Sequence, residues 1–319
     1  MTLLPAHPRD IHAVVVGAGT MGADVAIVLA RGGCRVTVVD PGEATRARLQ
    51  PHVLQALSTL GLARRADAVT SVPALADAAW HDVALVVECI PEILSMKQAL
   101  FAQLVNLAPA GAVLASNSSS FPISAIAQGL ESRQRMVGLH FFMPAHLVPL
   151  VEVVRGPDSD PELADSLCAF MRGCGSVPVL VRKDKPGFLA NRLQHALARE
   201  AFAMIDEGMA TAEDVDAAVR FGFGFRYLAA GPVLQRDHAG LDVHCAAAAT
   251  MYPSLSNASE PARALQDRVS AGRLGMKAGA GFYDWPDNRR LAERARYDRL
   301  LQQGLDLLAG ELPPLDTSF

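Results

Sequence analysis

"AVVVGAGTMG" (residues 13–22) is the stretch on which the reading of this chain turns. Four apolar residues of strand character run into Gly17, Gly19 and Gly22, a G-x-G-x-x-G spacing, and a helical stretch follows over 21–31. When such a segment meets a dinucleotide, each glycine has its own task. The first permits the tight turn out of the strand, the second lets the backbone approach a pyrophosphate, and the third lets helix and strand pack closely. Thr20 and Met21 open the helix, whose first amides face the anion. Glycines at this spacing also occur in ordinary turns. The pattern gains weight from "RVTVVD" (35–40), a second strand signal ending in Asp40, where a carboxylate can accept hydrogen bonds from the adenosine ribose hydroxyls. A carboxylate there repels a 2′-phosphate, and Pro41 and Gly42 follow it, so NAD is the expected cofactor. Arg46, one turn further on, keeps NADP as the alternative.

Outward from this unit the first half continues to alternate. Strand candidates recur at 83–88 ("VALVVE"), 112–116, 136–141, 150–154 and 177–181, with helical stretches such as 93–107 and 162–174 between them. These strands are apolar at successive positions rather than every second one, as burial between two helix layers requires. The pattern is that of an α/β chain with a doubly wound, mainly parallel sheet. After "VRKDKPGF" (181–188) the strand signal stops and helical spacing takes over at 189–207; Thr211 with Asp214 three residues later marks another helix start. The expected organisation is a nucleotide-binding domain over 1–184 and a mainly helical C-terminal domain over 185–319.

The bulk numbers agree. A length of 319 residues suits two domains. A net charge of −4 with no run of Lys or Arg leaves no electrostatic footprint for nucleic acid or an anionic membrane, so a small-molecule substrate is expected. Five cysteines without a C-x-x-C pair suggest neither a disulfide framework nor a zinc knuckle, and no metal site is expected. The N-terminal "MTLLPAHPRD" lacks the form of a signal peptide, and no apolar run reaches membrane-spanning length; the expected compartment is the cytoplasm.

The nearly apolar "GLHFFMPAHLVPLVEVV" (138–154) carries His140 and Glu152. Oxidising an alcohol needs a base for the hydroxyl proton while hydride leaves the carbon, and imidazole suits that task at neutral pH. His140 ends a strand, at the edge where open α/β sheets bind ligands. If the strand bearing Glu152 is its neighbour, the carboxylate can hold one ring nitrogen and present the other. By residues alone His140 is also readable as a hydrogen-bonded core residue, and Glu152 as a solvent-facing strand position.

"GAGTMG", "SNSSSFPISAIA" (116–127), "GLHFFMPAHLVPLVEVV", "KPGFLANRL" (185–193) and "GMKAGAGFYDW" (275–285) stand in the order and approximate spacing of the L-3-hydroxyacyl-CoA dehydrogenase family, which the chain resembles over about residues 11–285. The resemblance implies a Rossmann-like NAD domain, a helical domain that forms a homodimer, and catalysis between the two. It implies His140 as general base, Glu152 as its partner, and Ser119 and Asn191 as polar groups that hydrogen-bond the reacting oxygens. On the cofactor side it implies Asn117, Glu92 and Lys97, with Lys277 from the helical domain. A catalytically idle relative, such as those recruited as lens crystallins, would show a damaged set, whereas all four catalytic residues are present.

Three departures leave the substrate open between a (S)-3-hydroxyacyl-CoA, the conservative expectation, and a free hydroxy acid or other small carboxylate. Met143 replaces the family's usual Asn. The segment 41–72 is shorter than the helical hairpin of acyl-CoA enzymes and offers Arg46, Arg48, Arg64 and Arg65 in place of its lysines. "GFGFRYLAAGP" (222–232) is similar to relatives acting on gulonate, carnitine or a pyridine carboxylate, which makes Arg226 the candidate for a substrate carboxylate.

Overall fold

Val14 and Val16 pack on one face of the sheet and Val15 on the other, all three buried, so the first strand needs cover on both sides. The computed structural model, which describes residues 3–317, supplies it. An eight-stranded sheet has the order β3-β2-β1-β4-β5-β6-β7-β8. Its strands are β1 (His12–Val16), β2 (Arg35–Val39), β3 (Val69–Val72), β4 (Val83–Glu88), β5 (Val113–Ser116), β6 (Met136–Phe141), β7 (Leu150–Val154) and β8 (Val177–Val181). Every neighbouring pair is parallel except β6 and β7, which run antiparallel. On one face, α1 (Thr20–Arg31), α2 (Glu43–Thr59) and α5 (Pro161–Gly173) close a core with Val15, Val38, Leu85, Leu139 and Val153. On the other, α3 (Leu94–Leu107) and α4 (Ile123–Ile126) close a second core with Val14, Val86, Leu114 and Met136.

This is the doubly wound, mainly parallel architecture expected from the apolar runs. β3 has no counterpart in the sequence reading. "VTSV" is a short edge strand with two exposed residues, and burial on one side only leaves it without the continuous apolar signal of its neighbours.

The chain forms two compact units, Met1–Asn191 together with Ala309–Phe319, and Arg192–Leu308. Helix α6 (Ala190–Asp206) begins at the junction. The second unit holds α7 (Ala212–Ala218), α8 (Gly224–Arg226), α9 (Pro232–Ala239), α10 (Leu241–Met251), α11 (Arg263–Ser270) and α12 (Asp287–Leu307). Thr211 caps α7 as its spacing predicts: its hydroxyl accepts from the Asp214 amide at 3.1 Å and donates to the Asp214 carboxylate at 2.7 Å. The "GFYDW" motif organises this unit locally, with Phe282 stacked on Phe202 at 5.5 Å and the Tyr283 hydroxyl donating to Asp216 at 2.6 Å. Among the described residues no helix is long and apolar enough to cross a membrane.

Candidate active site

The carboxyl ends of β1, β2, β4, β5 and β6 lie along one edge of the sheet, because these five strands are mutually parallel. The tight glycine turn leaves β1 there. Gly17 has φ +102°, and a Cβ on it would stand 2.7 Å from the Cys89 carbonyl oxygen. A Cβ on Gly22 would fall 1.8 Å from the Gly17 carbonyl oxygen, so the third glycine is required for α1 to approach β1. Gly19 instead has open space at its Cβ position, which leaves the backbone accessible to a ligand. No side chain caps α1 and its first turn holds no acid, so its leading amides remain available to a pyrophosphate. Asp40, just past β2, reaches the same turn: its carboxylate accepts from the Ala18 amide and the Gly42 amide, both at 2.8 Å. Arg46 donates to the Asp40 carbonyl oxygen at 2.6 Å. This cradle fits a dinucleotide through Gly17, Gly19, Gly22 and Asp40, with Thr20 and Met21 on the first turn of α1.

Further along the edge, β6 and β7 place His140 directly opposite Glu152. On β6 the buried apolar Val137, Leu139 and Phe141 face the α1 side, so His140 shares the other face with Met136 and Gly138. A Cβ on Gly138 would come within 2.8 Å of the Val154 Cβ, so the glycine lets the two strands close beside the pair. His140 Nδ1 lies 2.8 Å from Glu152 Oε2, and both side chains are buried. Glu152 Oε1 accepts from the amides of Leu189 at 3.0 Å and Ala190 at 2.7 Å. With two amides already donating to this carboxylate, the proton on Nδ1 is the natural third donor and Nε2 carries the lone pair. Nε2 stands 3.1 Å from the Ser119 hydroxyl, and the rings of Phe142 and Phe188 flank the imidazole edge-on at 4.6 and 5.5 Å. The solvent-facing strand reading of Glu152 is thus wrong for this chain, and strand alternation could not have shown it, because the sheet is covered on both faces.

Ser119 is held by a second acid. Glu92 Oε1 accepts from the hydroxyls of Ser118 at 2.6 Å and Ser120 at 2.7 Å, and from the amides of Ser119 at 3.1 Å and Ser120 at 2.9 Å. Burial alone would raise the Glu92 carboxyl. The hydrogen bonds from Ser118 and Ser120 and the Lys97 charge outweigh it and bring the pKa to about 2. Lys97 is 1% exposed, with its ammonium 2.6 Å from Glu88 Oε1 and 3.2 Å from Glu92 Oε2. It reaches the serine loop through these two carboxylates, and it also donates to the Ile90 carbonyl oxygen at 3.3 Å. Asn117 turns its side-chain carbonyl to the Phe141 amide at 2.9 Å, tying the loop after β5 to the end of β6.

Asn191 is half-buried and follows directly on the two residues whose amides Glu152 fixes. Arg226 and Lys277 lie in the Arg192–Leu308 unit, where both are exposed. Met143 is 65% exposed. Of the arginines in the segment 41–72, Arg65 is buried and its guanidinium is engaged by the Arg31 carbonyl, which removes it from any surface phosphate.

One group that the sequence reading passed over is Glu88. It is fully buried at the end of β4 and joins Lys97, the Ile90 amide at 2.8 Å and the Ser116 hydroxyl at 2.6 Å. Its signal was present: an acid closing an otherwise apolar strand that is covered on both faces.

A glycine turn open to a pyrophosphate, an acid-ended second strand and an acid-paired imidazole on the same sheet edge define the chain as an NAD-dependent oxidoreductase. Residues 12–185 match the family model described as 3-hydroxyacyl-CoA dehydrogenase, NAD binding domain, and residues 187–285 match its C-terminal domain. The chain belongs to the 3-hydroxyacyl-CoA dehydrogenase family. It is 34% identical over 290 residues to 5-formyl-3-hydroxy-2-methylpyridine 4-carboxylate 5-dehydrogenase of Mesorhizobium japonicum, covering 88% of this chain and 94% of that one. It is 36% identical over 282 residues to 3-hydroxybutyryl-CoA dehydrogenase of Mycobacterium tuberculosis, covering 85% and 97%. A crystal structure of a 5-formyl-3-hydroxy-2-methylpyridine 4-carboxylic acid 5-dehydrogenase, described as an NAD+-dependent dismutase, aligns with a TM-score of 0.87 at 31% identity, covering 93% of this chain and 98% of that one.

Proposed function

We propose that this protein oxidises a hydroxyl group, or the hydrate of a formyl group, on a small free carboxylate, with His140 as general base. The observation that carries the reading is the relay from the exposed Ser119 hydroxyl through the buried His140 to the buried Glu152, at 3.1 and 2.8 Å, closed by the Leu189 and Ala190 amides. In it Nε2 takes the hydroxyl proton as the carbonyl forms, and Glu152 stabilises the resulting imidazolium and keeps its ring from turning. Ser119 and Asn191 hydrogen-bond the reacting oxygen. Glu92 holds the Ser118–Ser120 loop at its place through four hydrogen bonds. The glycine turn and Asp40 would hold NAD, which would supply the hydride acceptor for the substrate carbon. Asn117, Glu92 and Lys97 are the proposed cofactor-side residues of the loop, and Lys277 is a further proposed cofactor contact.

The free-carboxylate reading is supported by the pyridine-carboxylate relative and by the structural likeness at TM-score 0.87. It is supported as well by the departures at Met143 and at 41–72, and Arg226 is the proposed partner of the substrate carboxylate. A second reading, oxidation of a 3-hydroxyacyl-CoA in fatty acid metabolism, is supported by the family model and the mycobacterial relative. A panel of free hydroxy acids, pyridine carboxylates and acyl-CoAs, followed by NADH absorbance, separates the two. Turnover of free carboxylates alone supports the first, with Arg226→Ala raising KM at least about tenfold. Turnover confined to the CoA esters moves the assignment to the second. The working form proposed is a cytoplasmic homodimer built through the helical unit.

A further inference from the structure

Asp24, His52 and His146 belong to none of the motifs above, yet their side chains converge. Asp24 lies in the second turn of α1 and is 1% exposed. Its Oδ1 stands 2.8 Å from His52 Nε2 on α2 and 3.0 Å from His146 Nδ1 in the β6–β7 connection. Its Oδ2 accepts from the Ala145 amide at 2.9 Å. A buried carboxylate among Ala23, Val25 and Ala26 has to be compensated, and the Ala145 amide with one imidazole would suffice. The second imidazole is surplus to that need. His146 Nδ1 is buried and lies beside Oδ1 without the alignment of a hydrogen bond. Two ring nitrogens directed at one carboxylate oxygen, one of them off the donor line, surround a common point, with all three ligand atoms within 4.8 Å of one another.

We propose that Asp24, His52 and His146 form a binding site for a divalent transition-metal ion of the zinc class, with solvent completing the coordination. Two imidazoles and one carboxylate suit Zn2+, Co2+ or Ni2+, whereas Ca2+ and Mg2+ take oxygen ligands almost exclusively. Metal–nitrogen and metal–oxygen bonds of about 2.0–2.2 Å put tetrahedral ligand atoms roughly 3.3 Å apart, which the 2.8 and 3.0 Å spacings reach through small side-chain rotations. The Ala145 amide fixes the second carboxylate oxygen and so orients the first. The His52 side chain is 41% exposed, which supplies both the freedom to rotate and an entry path. The bound ion ties α1 and α2 to the segment that follows the His140 strand, and stabilises the folded chain by mass action.

The test is titration of tag-free, chelator-treated full-length protein with Co2+. The site predicts one equivalent per chain with the visible absorption of low-symmetry Co2+, displacement by Zn2+, and a rise in Tm on adding Zn2+. His52→Ala and His146→Ala should each weaken Co2+ binding at least about tenfold and remove the Zn2+-dependent rise in Tm. His81→Ala, at a side chain 81% exposed, should bind as the parent does. His52 is half-exposed, so its variant is expected to fold, which circular dichroism and its metal-free Tm verify. Absence of saturable Co2+ binding, or binding that survives both histidine substitutions, overturns the site and leaves the cluster a hydrogen-bonded contact only.

Discussion

At Glu152, two oxygens have two partners of different kinds: one side meets the ring of His140 and the other meets the backbone that starts α6. One carboxylate therefore orients the His140 ring, the proposed base, and fixes the residues leading to Asn191. His140→Ala removes the proposed base while leaving the glycine turn intact. The expected result is a kcat lower by about 10²–10⁴-fold with NADH affinity unchanged, measured by steady-state assay and fluorescence titration. Glu92 makes a different kind of contribution. Its carboxyl titrates at about 2 instead of its ordinary 4.5, so its stabilisation is full above 4.5 and is lost as pH falls toward 2. Glu92→Gln should lower Tm at neutral pH, and the gap to the parent should close between 4.5 and 2. A gap that stays constant through that window in thermal melts would mean that the Ser118–Ser120 loop does not depend on the Glu92 charge.

Among the elements, the β1–α1 turn separates packing from binding, since its glycines meet different surroundings. Gly22→Ala would place a methyl 1.8 Å from the Gly17 carbonyl oxygen and push α1 off β1, with a loss of a few kcal/mol, on the order of other overpacking changes. Gly19→Ala meets open space, so Tm should hold while NAD affinity falls, because the methyl stands where the pyrophosphate approaches. Denaturation and NADH titration of the two variants check this contrast. The elements were legible to different degrees. β1, β2, β4 to β8 and the capped start of α7 carry local signals: apolar runs, or a Thr and an Asp three residues apart. β3 carries none, since an edge strand is specified by the neighbour it pairs with.

For the whole molecule, the second unit is notable for the apolar side chains it exposes. Val233 is 77% exposed, Phe221 73% and Leu241 63%, more than isolated surface residues on a helical unit would account for. The proposed homodimer covers part of this surface. Sedimentation should give twice the chain mass, and Val233→Asp with Leu241→Glu should shift the protein toward monomer; unchanged sedimentation of that double variant would place the interface elsewhere.

The sequence by itself determined the glycine turn, Asp40, the apolar strands and the motifs that carry His140, Glu152, Ser119 and Asn191. All of these depend on residues within a turn or a strand of one another. Only the tertiary structure decided that Glu152 faces His140 across an antiparallel pair. It alone showed that Lys97 is sealed between two carboxylates, and that Asp24, His52 and His146 meet. Those contacts depend on strand register and on how helices from distant segments pack on a shared sheet. Local spacing carries no information about either.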